Sequence, residues 1–335
     1  MREVARDVLL EQIPRPFALI SCLSFEDRSL VVAEAIASGG LCRWLVIVNE
    51  DIETDITAIR EKAEAIASVA GVAIEYLPAS KRNPLLLADA FGGLAAGVLA
   101  DQATHWVADI TTMTHEMLLI LVAAADEIVA PWRDLHLIYN VAGAYSGDDT
   151  PEEKWISRGI HQVRSVIGYP GAWSPGEQTN LVALPGFDSE RMRRMVEEIE
   201  PDQLIVGIAC PLDERHAWSE DKNRGIARHL LETRKGTTFD YRALDPLGAV
   251  DAVIEVLKDT TGNVLLAPLN SKISTAAIGV LARLKPEWQI CYAPAIIYNL
   301  KYATPSDRFL TCSLGTIRAH CVARLAEMVK EDRRR

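Results

Sequence analysis

Trp106-Val107-Ala108-Asp109-Ile110-Thr111-Thr112-Met113-Thr114-His115-Glu116-Met117-Leu118 is the stretch on which the fold turns. An apolar, β-prone run stops at Asp109, three threonines follow, and an apolar pattern of helical spacing begins at Met117. The reading is a strand, a polar loop and a helix start. Threonine hydroxyls in that position can cap the helix's first N–H groups, and the same N–H groups with the positive end of the helix dipole favour an anionic ligand. One loop can serve either purpose, so the rest of the chain decides its weight.

Outward from this stretch, strands and helices alternate. The pattern predicts strands over 17–23, 44–48, 72–77, 104–109 and 135–140, with helices between them stopped by Gly39-Gly40 and by Gly71. From Gly143 to Gln178 the alternation breaks, although Trp155, Tyr169 and Trp173 there need somewhere to pack. It then resumes, with strands expected at 180–184, 203–209, 237–243, 263–267 and 288–293 and helices at about 189–200, 214–233, 247–259, 273–284 and 316–331. Regular β/α alternation requires crossover connections, hence parallel sheets covered by helices.

The two halves also resemble each other. Ser24-Phe25-Glu26-Asp27-Arg28 is matched by Gly186-Phe187-Asp188-Ser189-Glu190-Arg191, and Pro84-Leu85-Leu86-Leu87-Ala88-Asp89-Ala90 by Pro246-Leu247-Gly248-Ala249-Val250-Asp251-Ala252. The loop from Asp109 to Thr114 falls opposite Pro268-Leu269-Asn270-Ser271-Lys272, and Tyr139-Asn140 opposite Tyr292 or Tyr298-Asn299. The offset stays near about 160 residues throughout. The expected fold class is therefore α/β, with two tandem Rossmann-like, doubly wound parallel sheets related by pseudo-two-fold symmetry. The expected organisation is an N-terminal unit over 1–145, a linker or insertion with a small antiparallel element over 146–178, and a C-terminal unit over 179–335.

Composition bounds what such a protein does. At 335 residues, 49% hydrophobic and 24% charged, the chain can bury a core in each of two units. A formal charge of −11 argues against bulk nucleic-acid binding, which relies on Lys and Arg to neutralise phosphates. No apolar run approaches the ~20 residues that span a bilayer. The opening Met1-Arg2-Glu3-Val4-Ala5-Arg6-Asp7 lacks the apolar core of a signal peptide, so a cytoplasmic protein without membrane contact is expected. Six cysteines stand apart with no CxxC pair. Cys22, Cys210 and Cys291 lie in apolar strand-like runs, and neither a zinc site nor another metal or cofactor is expected.

In open parallel sheets ligands bind beyond the carboxyl ends of the strands, where the strand order reverses. The loops after the first and fourth strands of each half meet there, and here they are polar. The candidate ligand-binding residues are Ser24, Asp27, Arg28, Asp109, Thr111, Thr112, Thr114, His115 and Tyr139 in the first half. In the second half they are Asp188, Arg191, Asn270, Ser271, Lys272 and Tyr292. Arg28, Arg191 and Lys272 are potential clamps for phosphate or carboxylate, and the tyrosines are potential stacking platforms. Each has a purely structural alternative, as a helix-start residue or an aromatic of the core. No catalytic residue is assigned. His115 and Glu116 are adjacent, so on a helix they point about 100° apart, and there is no nucleophile elbow, P-loop or HExxH helix.

Asp109-Ile110-Thr111-Thr112-Met113-Thr114-His115-Glu116-Met117 resembles the fourth-strand motif of CARF domains, which runs Asp, apolar, Thr, Gly, Gly, Thr, Lys, any, Met. Asp109, Thr111, Thr114 and Met117 match. Thr112 and Met113 replace the glycines and His115 the lysine, which keeps a phosphate further from the backbone. CARF proteins sense oligoadenylates as dimers, and the tandem is similar to SAVED domains, which resemble two fused CARF units. The resemblance implies a sensor or regulatory subunit of antiviral defence, non-catalytic or weakly catalytic, that recognises a cyclic or linear oligonucleotide and acts through a separate effector protein. Two alternatives stand beside it. One is an enzyme acting on a nucleotide or phosphorylated small molecule in the cleft between the units; the other is a non-binding scaffold subunit of a multiprotein complex.

Overall fold

The computed structural model describes residues 1–51, 54–100, 105–127, 134–145, 155–186, 189–211 and 217–332, without the side chains of 95–100 and 331–332. The chain divides into two compact units, each made of two chain segments. One holds Met1–Gly147 and Leu300–Thr316, the other Asp148–Asn299 and Ile317–Arg335.

The first unit contains β1 (Arg2–Ala5), β2 (Phe17–Leu23), α1 (Val31–Ile36), β3 (Leu41–Asn49), α2 (Thr57–Ala70), β4 (Ile74–Ala79), α3 (Leu85–Ala100), β5 (His105–Asp109), α4 (His115–Glu127) and β6 (His136–Asn140). Parallel pairing orders its five central strands β4-β3-β2-β5-β6. Numbered by their own succession this is 3-2-1-4-5, so the order reverses between β2 and β5. All seven residues of β2 are buried, as expected of a central parallel strand with helices on both faces. Among the largest fully buried side chains are Phe17, Trp44, Phe91 and Trp106, and the Trp44 indole N–H donates to Ser21 Oγ at 2.9 Å. Gly71, in the left-handed region at φ 71°, ends α2 by donating to the carbonyls of Ala67 and Ser68.

The second unit contains β7 (Ser157–Ile160), β8 (Arg164–Pro170), β9 (Thr179–Leu184), α5 (Ser189–Ile199), β10 (Gln203–Cys210), α6 (Trp218–Leu231), β11 (Gly236–Arg242), α7 (Pro246–Leu257), β12 (Asn263–Pro268), α8 (Lys272–Leu284), β13 (Gln289–Tyr292) and β14 (Ala295–Tyr298). Its parallel strands run β11-β10-β9-β12-β13, again 3-2-1-4-5, with the reversal between β9 and β12. Two Rossmann-like sheets in tandem are thus present.

Each sheet is extended beyond its fifth strand by antiparallel pairing that strand alternation does not reveal. In the second sheet β8 pairs with β13, and β7 forms a two-stranded ribbon with β14. The segment expected as a linker therefore supplies an edge strand of the second sheet. In the first sheet the addition comes from far along the chain: β15 (Arg308–Ser313) lies antiparallel to both β6 and β1. Residues 300–316, expected within the C-terminal unit, belong to the first unit through the pairing of β15. The chain closes with α9 (Leu314–Asp332), where His320 and Arg324 both reach Asp251 of α7 at 2.8 Å.

Tyr169 is buried, whereas Trp173 is 57% exposed and needs no packing partner. Cys210, at the last position of its strand, is half-buried rather than enclosed like Cys22 and Cys291. Of the helix expected at about 214–233, Glu214, Arg215 and His216 lie outside the described residues. Among the described residues no helix is long and apolar enough to cross a membrane.

Candidate functional site

The carboxyl end of the first sheet is built around Arg28, which follows β2 in the short 3-10 turn Asp27–Leu30 and is 2% exposed. Its Nε and Nη2 donate to Glu26 Oε2 at 3.2 and 2.7 Å, its Nη1 to the carbonyl of Asn140 at 3.2 Å, and Nη2 also to the Tyr302 hydroxyl at 3.0 Å. That hydroxyl donates to Glu26 Oε1 at 2.8 Å, closing a ring of buried partners. Burial opposes the guanidinium charge, but Tyr302 and Glu26 outweigh it and raise the pKa above its ordinary value. Arg28 is thereby a bolt between the first-strand loop and the end of β6. A guanidinium sheathed in this way does not present itself as a phosphate clamp.

Arg191 repeats the device in the second unit. It sits in the first turn of α5 and is 4% exposed. Its Nε and Nη2 donate to the carbonyl of Ala293, just past β13, at 3.1 and 2.7 Å, and Nη1 reaches Ser157 Oγ at 3.3 Å. Each arginine lies over a tyrosine ring, Arg28 over Tyr302 at 5.7 Å and Arg191 over Tyr292 at 5.2 Å. The carbonyl acceptors make Asn140 and Ala293 equivalent, so Tyr292, not Tyr298, is the counterpart of Tyr139. Tyr139 and Tyr292 are both buried. Asp188 lies outside the described residues.

The loop from Asp109 to Thr114 is satisfied from within. Asp109 Oδ1 accepts the Thr111 N–H at 3.0 Å, and Thr111 Oγ1 accepts the Asn140 N–H at 3.0 Å. Thr112 Oγ1 donates across the switch point to the carbonyl of Cys22 at 2.6 Å. Thr114 Oγ1 caps α4 by accepting the Met117 N–H at 3.1 Å, while His115 is buried in the first turn. Ser24 is buried, and its N–H donates to Ser29 Oγ at 3.0 Å. Asp27 is exposed. Burial raises the Asp109 carboxyl to about 7, against hydrogen bonds from Thr111 that favour its charge.

The second unit has the same arrangement with different atoms. The Leu269 N–H donates to the Leu184 carbonyl at 3.0 Å, and Asn270 Nδ2 to that of Pro185 at 2.7 Å, tying the fourth-strand loop to the first-strand loop. The close approach explains Gly186, where a Cβ would stand 2.8 Å from the Leu269 carbonyl oxygen. Ser271 Oγ accepts the Ser274 N–H at 3.0 Å, capping α8, and donates to the Ala243 carbonyl. Lys272 is half-buried at the first position of that helix.

In the first unit Arg28 and the loop from Asp109 to Thr114 thus meet at the end of β6, whereas Asp27 stands exposed. In the second unit Arg191 is held at the end of β13, and the fourth-strand loop is bonded to Leu184 and Pro185 of the first-strand loop. No family model matches the chain, and no curated protein matches it. Among solved structures, the cytoplasmic domain of a prokaryotic cation chloride cotransporter aligns at 10% identity and a TM-score of 0.26, over 86% of this chain and 99% of that one. A ketoreductase domain from the bacillaene assembly line aligns at 10% identity and a TM-score of 0.20, over 98% of this chain and 80% of that one.

Three residues of the first-unit cluster, Glu26, Asn140 and Tyr302, stand outside the candidates read from the sequence. Glu26 was visible as the i−2 neighbour of Arg28. Tyr302 carries no local signal, because it reaches Arg28 from 274 residues away. Chemically the cluster offers one carboxyl raised to about 7, Asp109, which is 2% exposed and hydrogen-bonded by the backbone and side chain of Thr111 in its own loop. Among the described residues no group of three His, Cys, Asp or Glu side chains could hold a metal ion.

Proposed function

We propose that this protein is a non-catalytic sensor or regulatory subunit, similar to CARF and SAVED proteins. In this reading it binds a nucleotide-type signal at the carboxyl-end loops of its tandem units and passes the signal to a separate effector protein in antiviral defence. The observation that carries the reading is the duplication itself: the order 3-2-1-4-5 twice, each with a buried arginine bolted to a carbonyl at or just past the end of its fifth strand. Duplicated units of this kind suit a ligand recognised by equivalent loops, and polar networks satisfied internally suit binding better than turnover. Calorimetry at about 100 μM protein against cyclic and linear oligonucleotides tests it. Saturable heat for one class, weakened in Lys272→Gln, is expected; an absence of heat across the panel overturns it.

A second reading, a scaffold subunit that binds no small ligand, draws support from the switch points being bonded shut by Thr112 in one unit and Asn270 in the other. It expects a stable complex in pull-downs that Lys272→Gln and Thr114→Ala leave intact.

A further inference from the structure

The first unit contains a cavity of about 560 Å³, a volume typical of small-molecule sites, between the residues after β1, the first turns of α1 and α2 and the loop before β15. It shares only Asp27 with the residues singled out from the sequence. Its walls carry charges of both signs, and their pairing is uneven. On one side Arg6 Nη2 and Lys62 Nζ both contact Glu34, at 3.0 and 2.5 Å, so two cations share one carboxylate and one positive charge is left over. On the other side Glu26 is already neutralised by Arg28 at 2.7 Å. Asp27 and Asp307 are exposed and have no ion-pair partner among the described residues, which leaves two negative charges. Leu30 and Ile59 supply apolar lining along which methylene groups can lie.

A ligand complementary to one surplus cation and two surplus carboxylates bears one anionic group and two cationic ones on a short aliphatic stem. We propose that this cavity binds a basic α-amino acid, its carboxylate towards Arg6 and Lys62 and its two cationic groups towards Asp27 and Asp307. A diamine lacks the anionic group, an aliphatic amino acid lacks the second cation, and a nucleotide presents phosphates to a wall with surplus carboxylates. The site therefore stands independently of any nucleotide bound at the switch-point loops.

Isothermal titration of the full chain with L-lysine and L-arginine, beside L-leucine, putrescine and AMP, tests the assignment. The expected result is a submillimolar Kd for at least one basic amino acid and binding at least about tenfold weaker for the other three probes. The Asp27→Asn/Asp307→Asn double variant is expected to weaken that binding by at least about tenfold, with its melting temperature in the absence of ligand unchanged. Lys62→Gln, at a 61% exposed side chain, gives a second variant that leaves both carboxylates in place and is also expected to weaken binding. An absence of heat from both basic amino acids, an undiminished affinity in the double variant, or displacement of lysine by AMP overturns the proposal.

Discussion

Asp109 shows at the residue scale how this fold uses polar groups. Its carboxyl is enclosed at the end of β5, and burial lifts it to about 7. An unfolded aspartate titrates near about 3.9, so the folded protein binds a proton there that the unfolded chain has released. Stability contributed by that proton is complete at acid pH and is lost as the pH rises towards 7, at up to about 1.4 kcal/mol per pH unit. Asp109→Asn keeps an acceptor for the Thr111 N–H and removes the titration. The variant is expected to gain stability relative to wild type between pH 4 and 7.5, measured by urea unfolding at several pH values; parallel curves would refute the account. The position of Asp109 at the end of a strand and before a run of threonines was legible in the sequence. Its burial and the inward direction of the threonine hydroxyls were not. They depend on Cys22 and Asn140 standing within hydrogen-bond reach, which only the strand order brings about.

At the scale of the element, α4 and α8 start with equivalent caps that carry different loads. Thr114 accepts one N–H, whereas Ser271 accepts one and also donates to the carbonyl of Ala243 in another loop. Thr114→Ala should cost about 1 kcal/mol and Ser271→Ala more, about 2 kcal/mol, because the second leaves a buried carbonyl without its donor. Denaturant titration of the two variants measures the difference, and equal losses would mean that the Ala243 bond contributes nothing. The parallel strands were readable because each is an unbroken apolar run bounded by turn residues, as in Phe17–Leu23 and Gln203–Cys210. The antiparallel element expected within 146–178 corresponds to β7 and β8, but β14, the partner of β7, and the distant β15 were not readable. Ala295–Tyr298 is four residues long, and Arg308–Ser313 alternates too weakly to be told from a loop. Which strand each would pair with is a matter of tertiary approach rather than local pattern.

For the whole molecule, the decisive fact is that β15 lies between β1 and β6. A fragment ending at Gly147 has all five parallel strands of its sheet but neither the neighbour of β6 nor Tyr302, the partner of Arg28 and Glu26. Such a fragment is expected to be poorly folded by circular dichroism and prone to aggregate through the bare edge of β6. A chain joining 1–147 directly to 300–316 is expected to recover a cooperative transition. Equal stability of the two would show that β15 is dispensable.

The interleaving of the units also sets an order of events during synthesis. Residues 148–299 hold all six strands of the second sheet, and all of them leave the ribosome before Arg308–Ser313 do. The unit that begins the chain must therefore wait, with one slot open, until its successor has been made, reversing the usual N-terminal-first sequence. During that interval the edge of β6 and the Glu26–Arg28 pair, still without Tyr302, are the surfaces most in need of a chaperone, and translational pausing between residues 147 and 308 should affect yield more than pausing elsewhere.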